Sequence, residues 1–262
     1  MKSKFVLASA VCAMAALVQA SAVESANTFG VMCISDSGDT DTIIGIPWVD
    51  VGSTGDANTI HVTNIVCSTG LTTGDLIYWW DASAAEPGYR AWALKAGGYW
   101  EPTTVTIVGA DDKPSAVAAE SNKSLARGNA IILHRQAPKT GDTPNPIYIY
   151  GQYYTGSTAA TSPITGPTVV EGGYTAPIYN LVASPATTNV DLNVSGLITG
   201  VLNANDTIII GLKTYSYDAS EEKWGYRTRV NGRWGAWSYN VEIPAGHGFW
   251  YKSKGGSPTF NW

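Results

Sequence analysis

The chain has 262 residues, with 16 Lys and Arg against 21 Asp and Glu, and only 14% of it is charged, well below the roughly 25% of an ordinary soluble domain. Ser, Thr, Asn, Gly and the edges of 10 Trp and 14 Tyr must therefore build most of the surface. A net charge of −5 argues against a chain whose partner is DNA or RNA, because affinity for nucleic acid is carried by clustered Lys and Arg.

At the start, Lys2 and Lys4 precede an apolar run from Phe5 to Val18 that ends in the small residues Ala20, Ser21 and Ala22. This is the pattern of a cleaved secretory signal over 1–22. The run is shorter than the roughly 20 apolar residues of a membrane-spanning helix, and no later stretch is long enough either. Export is expected to carry the mature chain to the periplasm, the cell surface or the extracellular space. Losing Lys2 and Lys4 leaves 14 basic against 21 acidic residues, a mature net charge of −7. Cys33 and Cys67 then remain, in a compartment where disulfides persist. They read either as a bridge or as two buried thiols in strands.

Downstream, Asp36, Asp39 and Asp41 crowd one loop with Ser37, Gly38 and Thr40, a set of oxygens that suits calcium if it suits any cation. A solvated hairpin loop explains the same residues, and no other cofactor is implied. The first copy of the pattern then reads as short strands rich in Val, Ile, Thr, Tyr and Trp, bounded by Gly, Pro, Asn and Asp. They are expected at Thr42–Val49, Ile60–Val66, Asp75–Asp81, Tyr89–Lys95, Thr103–Gly109, Ala130–Gln136 and Ile147–Tyr154. Lys113–Ala126 is predicted as a helix, with Asp112 as N-cap and Pro114 in the first turn.

Residues 155–176 are rich in Gly, Ser, Thr and Pro and read as a linker or an extended crossing strand. Strands are then expected at Pro177–Ser184, Asp191–Ile198, Thr207–Asp218, Gly225–Asn231, Trp234–Ile243, Gly248–Lys254 and Pro258–Trp262, with Gly255-Gly256-Ser257 expected to close a terminal hairpin.

An internal repeat organises these elements. Asp81-Ala82-Ser83 followed by Gly88-Tyr89-Arg90 recurs at identical spacing as Asp218-Ala219-Ser220 followed by Gly225-Tyr226-Arg227. Leu71 to Asp75 matches Leu202 to Asp206, Gly98-Tyr99-Trp100 matches Gly232-Arg233-Trp234, Ala126-Arg127-Gly128 matches Pro244-Ala245-Gly246, and Pro146 to Tyr150 matches Pro258 to Trp262. Order is kept while spacing drifts, so the expected fold is all-β, with two tandem, duplicated sandwich or barrel-like domains at 23–154 and 177–262.

Motifs for nucleophilic, zinc and phosphate chemistry are absent from the sequence. The acids Asp75, Asp81, Asp206 and Asp218 sit at strand ends, where turn capping is the more economical reading, although a glycoside hydrolase would also place paired carboxylates near one another. A small outer-membrane barrel is the other alternative, argued from the aromatic terminus Phe260-Asn261-Trp262 and opposed by strands shorter than that architecture uses.

The aromatic residues carry the remaining signal. Tyr78, Trp79 and Trp80 are consecutive, and alternation along a strand puts large rings on both faces. Trp79, Trp80, Trp92, Trp100, Trp237 and Trp250 are the candidates for stacking against sugar rings, with core packing as the alternative for each. Asn27 to Met32, Thr42 to Trp48, Leu71 to Asp75 and Gly246 to Tyr251 resemble the framework of a group of secreted bacterial β proteins of unassigned function. That resemblance implies an exported all-β protein and brings no catalytic residue with it. The expected role is structural or glycan-contacting and non-catalytic, with a polysaccharide or another envelope protein as partner.

Overall fold

A computed structural model describes residues 29–34, 41–50, 59–67, 71–84, 87–106, 115–121, 123–135, 147–154, 160–167, 177–186 and 188–262. The segment 1–22, expected to be a secretory signal, lies outside them. The fold is all-β, and among the described residues the backbone is strand, turn and loop apart from one 3-10 turn at Val62–Asn64.

In the first half the strands are β1 (Phe29–Ile34), β2 (Asp41–Gly45), β3 (Trp48–Val49), β4 (Thr59–His61), β5 (Val66–Cys67), β6 (Leu76–Asp81), β7 (Gly88–Leu94), β8 (Trp100–Pro102), β9 (Ala116–Ala118), β10 (Ser124–Ala126), β11 (Ala130–His134) and β12 (Ile147–Tyr153). The second half contributes β13 (Thr161–Pro163), β14 (Ile178–Ala183), β15 (Val190–Asp191), β16 (Ile198–Val201), β17 (Thr207–Ile210), β18 (Lys213–Asp218), β19 (Lys223–Val230), β20 (Arg233–Ser238), β21 (Glu242–Ile243), β22 (Gly248–Ser253) and β23 (Ser257–Asn261).

These strands make open sheets. One large sheet runs β2-β11-β6-β7-β8 with β9 beside β7, and another runs β14-β22-β17-β18-β19-β20. Each carries a smaller outer sheet, β1-β12-β3 with β5 in the first half and β13-β23-β16 in the second. Alternation along the strands explains the layering. Ile44, Ile77, Trp92 and Ile131 point into the first half's own core. Val182, Ile208, Tyr215 and Phe249 point into the second half's core. Their sequence neighbours Tyr78, Ala91, Ala130, Ile132, Leu181 and Ala183 form a third core, where the two large sheets meet back to back.

Register is repeated between the halves. The pairs Gly45↔Ala130 and Ile43↔Ile132 recur as Ala183↔Gly248 and Leu181↔Trp250. Leu133↔Ile77 recurs as Tyr251↔Ile208, and Leu125↔Ile60 as Ile243↔Val190. The contacts across the middle are reciprocal as well. Gly45 N–H donates to the Gly246 carbonyl and Ala183 N–H to the Gly128 carbonyl, while Ile44 bridges His247 and Val182 bridges Asn129. Such reciprocity is what a two-fold contact produces. It is a tight one. A Cβ on Gly248 would lie 2.6 Å from Ile43 and 2.7 Å from Ala130, and one on Gly45 2.9 Å from Ala183.

Several expectations are corrected. Lys113–Ala126 is not a helix where it is described; β9 and β10 occupy it because Ala116 is captured by Val105 and by β7, so tertiary pairing overrides a weak propensity. Thr103–Gly109 contributes only the bridge at Val105 among its described residues. Thr207–Asp218 folds into the hairpin β17–β18 around Gly211, whose φ of 57° suits glycine. Most of Asp191–Ile198 is turn, with Leu192 and Leu197 buried. Gly255-Gly256-Ser257 closes no hairpin, since β22 pairs with β14 and β17 while β23 pairs with β13 and β16. It carries the chain from the inner to the outer sheet. Within 155–176, β13 is an integral strand of the second half.

The disulfide reading does not fit the topology. β1 occupies one edge of β12 and β5 the other, with Cys33 opposite Tyr148 and Cys67 opposite Ile149. Two strand spacings, roughly 10 Å, exceed the roughly 7 Å limit for a bridge without backbone movement.

Candidate functional site

β6 and β7 form the hairpin on which the site is built. Its turn is set by Asp81, whose Oδ1 accepts from Ser83 N–H at 3.2 Å and from Ser83 Oγ at 2.9 Å. The other carboxylate oxygen faces Arg90 Nε at 3.8 Å. Along the same face of β6, Ile77 is in the core, Trp79 lies at its rim and Asp81 lies beyond it; Trp79 pairs with Arg90 across the hairpin. The core therefore runs out into a surface cleft.

One wall of the cleft is the 116–123 segment. β9 runs parallel to β7 with Val117 beside Arg90. Backbone bonds fix the residues after β9, from Ala119 N–H to the Ala91 carbonyl and from Val62 N–H to the Lys123 carbonyl. The Trp92 indole N–H donates to the Glu120 carbonyl at 3.3 Å. The cavity is about 310 Å3 and is lined by Trp79, Asp81, Arg90, Val117, Ala118, Ala119, Glu120 and Lys123. This is at the small end of the range for ligand sites. Lys123 Nζ stands 4.2 Å over the Trp79 ring. At a surface, such a cation contributes about 0.5–1 kcal/mol, a cost that a stacking ligand can meet. Two acids and two bases around one indole offer both hydrogen-bond donors and acceptors.

The six expected aromatic contacts divide into four groups. Trp92 and Trp100 are 0% and 2% exposed and belong to the first core, so they are not contact residues. Trp80 and Trp250 seal the junction between halves. Their rings meet edge to face at 5.7 Å, Trp250 also contacts Tyr89 and Tyr179, and the Trp80 indole N–H donates to the Tyr179 carbonyl. The second half thus covers the Tyr78 and Trp80 face of β6, and Trp79 is left at the open rim. Trp237 lies apart, on the β19–β20 ribbon.

The strand-end acids are committed to turns. Asp75 Oδ2 accepts from Thr72 N–H at 2.7 Å. Asp206, fully buried, accepts from Asn203 N–H, Lys254 N–H and the Tyr251 hydroxyl at 3.2, 2.7 and 2.8 Å. Burial, followed by that hydrogen bond, pushes the Tyr251 hydroxyl well above the usual phenol range. Asp218 repeats the Asp81 turn with Ser220. Hydrogen bonds from Ser220 and then from Tyr239 hold its carboxyl below the usual range. Of the loop acids, Asp36 and Asp39 lie outside the described residues, and Asp41 Oδ1 lies 2.6 Å from His134 Nδ1.

The most specific-looking repeat is displaced by one hairpin. The Asp-Ala-Ser turn joins β6 to β7 in the first half and β18 to β19 in the second. By pairing order, Leu94↔Trp100 corresponds to Tyr217↔Trp224. The counterpart of Trp100 is therefore Trp224, also 2% exposed, while Trp234 is 61% exposed. The sequence match of Trp100 with Trp234 makes Trp234 read as its duplicate, and the pairing order corrects that match. The signal that distinguishes Trp234 is the absence of acids around it. Comparison with protein-family models, curated proteins and solved structures gave no match. The functional reading rests on the chain's own residues.

Proposed function

We propose that this is an exported, non-catalytic protein of the cell envelope or its exterior, made of two duplicated β-sandwich units, which contacts glycans through the Trp79 cleft. The single observation that carries this reading is the placement of one rim tryptophan in a cavity bordered by Asp81, Arg90, Glu120 and Lys123. A pyranose has an apolar C–H face for the indole and hydroxyls at its edge for the surrounding groups. Balanced charge favours a neutral or zwitterionic sugar over an ion. The signal pattern at 1–22 supports export, and the repeated register supports duplication. Neither a metal nor an organic cofactor has a role in this reading.

A glycan array probed with the mature chain and with Trp79→Ala tests it. Neutral oligosaccharides should be retained by the parent and lost by the variant, with the melting temperature changed little. Neutral-glycan binding that survives Trp79→Ala, or no retained neutral glycan, removes the proposal.

A further inference from the structure

The β19–β20 ribbon carries a second and chemically different surface. Residues 223–239 hold Lys223, Arg227, Arg229 and Arg233 and no acid, in a chain whose net charge is −5. From Arg227 to Trp234 every residue of the ribbon is exposed. Hairpin pairing sets Arg227 opposite Trp237 and Arg229 opposite Trp234. Two residues, Gly235 and Ala236, oppose Thr228 alone, which makes a bulge. Three positions along a regular strand would put the tryptophans on opposite faces; the bulge returns both to one face. Gly235 permits this, since a Cβ there would sit 3.3 Å from the Thr228 carbonyl.

The outcome is a ladder of alternating cations and rings. Lys223 lies 5.6 Å from the Tyr239 ring, and Tyr239 stacks on Trp237 at 6.0 Å. Arg227 stands 5.6 Å from Trp237 and 5.9 Å from Trp234, with Arg229 5.9 Å from Trp234. Backbone carbonyls of Gly235 and Gly232 accept from the Nε atoms of Arg227 and Arg229. These bonds engage only the Nε of each guanidinium group. Among the described residues, no carboxylate pairs with Arg227, Arg229 or Arg233.

We infer that this ribbon is a binding site for a linear anionic polysaccharide, its acid groups held by Arg227 and Arg229 and its sugar faces by Trp234 and Trp237. Guanidinium forks match carboxylate or sulfate groups. Trp234 and Trp237 pair with Arg229 and Arg227, two positions apart on β19, which sets their backbones roughly 7 Å apart along the ribbon, within the reach of two linked sugar rings. The site is independent of the Trp79 cleft, whose balanced charges suit neutral sugars.

Affinity measurements on the full mature chain test this with four probes: oligogalacturonate, its methyl-esterified form, a sulfated glycan and a single-stranded oligonucleotide. Oligogalacturonate or the sulfated glycan is expected to bind, and which of the two binds tighter identifies the acid group. Esterification, Arg227→Gln with Arg229→Gln, or Trp234→Ala should each weaken binding at least about tenfold, and Trp79→Ala should leave it unchanged. Added salt should also weaken it. No binding of either anionic glycan, equal binding of the esterified form, undiminished binding by folded ribbon variants, or preference for the oligonucleotide would overturn the inference.

Discussion

Asp206 and Asp218 have the same side chain at the same kind of strand-end turn, and burial separates their roles. Asp206 sits in the interior with the Tyr251 hydroxyl and Lys254 N–H on its oxygens, so Asp206→Ala orphans buried donors at about 1–3 kcal/mol each. Asp218→Ala, at the surface, should change stability far less. Chemical denaturation of the two variants checks the contrast. Protonation makes the same point. Because the folded state depresses the Asp218 carboxyl through Ser220 and Tyr239, its stabilisation is present above the ordinary carboxylate value and is lost as pH falls through the depressed one. The phenols behave in the opposite sense. Tyr78, raised to about 12 by burial and then by Asp41 and Tyr89, contributes fully below the ordinary phenol value and loses that contribution as pH rises through about 12. Tyr239, raised to about 12 by desolvation and then by Asp218, does likewise. A titration of phenolate absorbance should show a late group near pH 12.

At the scale of the element, the inner sheets meet where Gly248 faces Ile43, Ala130 and the Val182 carbonyl, all within 3 Å of where a Cβ would stand. Gly248→Val should therefore destabilise the fold by about 1–3 kcal/mol or more, seen as a lowered unfolding midpoint. Pairing order also predicts which tryptophan is structural. Trp224→Ala should cost about 3–5 kcal/mol, while Trp234→Ala should fall within about 0.5 kcal/mol of the parent. The period-2 pattern and turn residues made most strands legible in the sequence, including Leu76–Asp81 and Gly248–Ser253, whose ends the structure moves by a residue or so. The site was only half legible. Alternation put Trp79 on the face opposite Trp80, but which face stays open depends on the second half packing over Trp80, a long-range contact that no local pattern encodes. The identical Asp-Ala-Ser turns misaligned the halves because a turn records local hydrogen bonding and not the position of its hairpin in the sheet. The ribbon's bulge was equally hidden, since two residues opposing one is a property of the pair of strands.

For the whole molecule, the junction matters most. Leu181 and Ala183 from the second half are buried with Tyr78, Ala91 and Ile132 from the first, and backbone bonds cross in both directions. Burial of apolar surface on this scale couples the halves, so thermal unfolding should be a single transition, coincident by fluorescence and circular dichroism. Two separated transitions would mean that each half stands alone. Four of the 16 basic residues are concentrated on one ribbon, and the Trp79 cleft balances two acids with two bases. The proposed glycan contact makes Trp79 the ring on which a neutral sugar stacks. Isotopically labelled mature protein is to be titrated with a neutral oligosaccharide retained on the array while the indole N–H resonances are followed. The Trp79 signal should move saturably while those of the buried Trp92, Trp100 and Trp224 stay fixed; an unmoved Trp79 signal in the presence of bound sugar would contradict it.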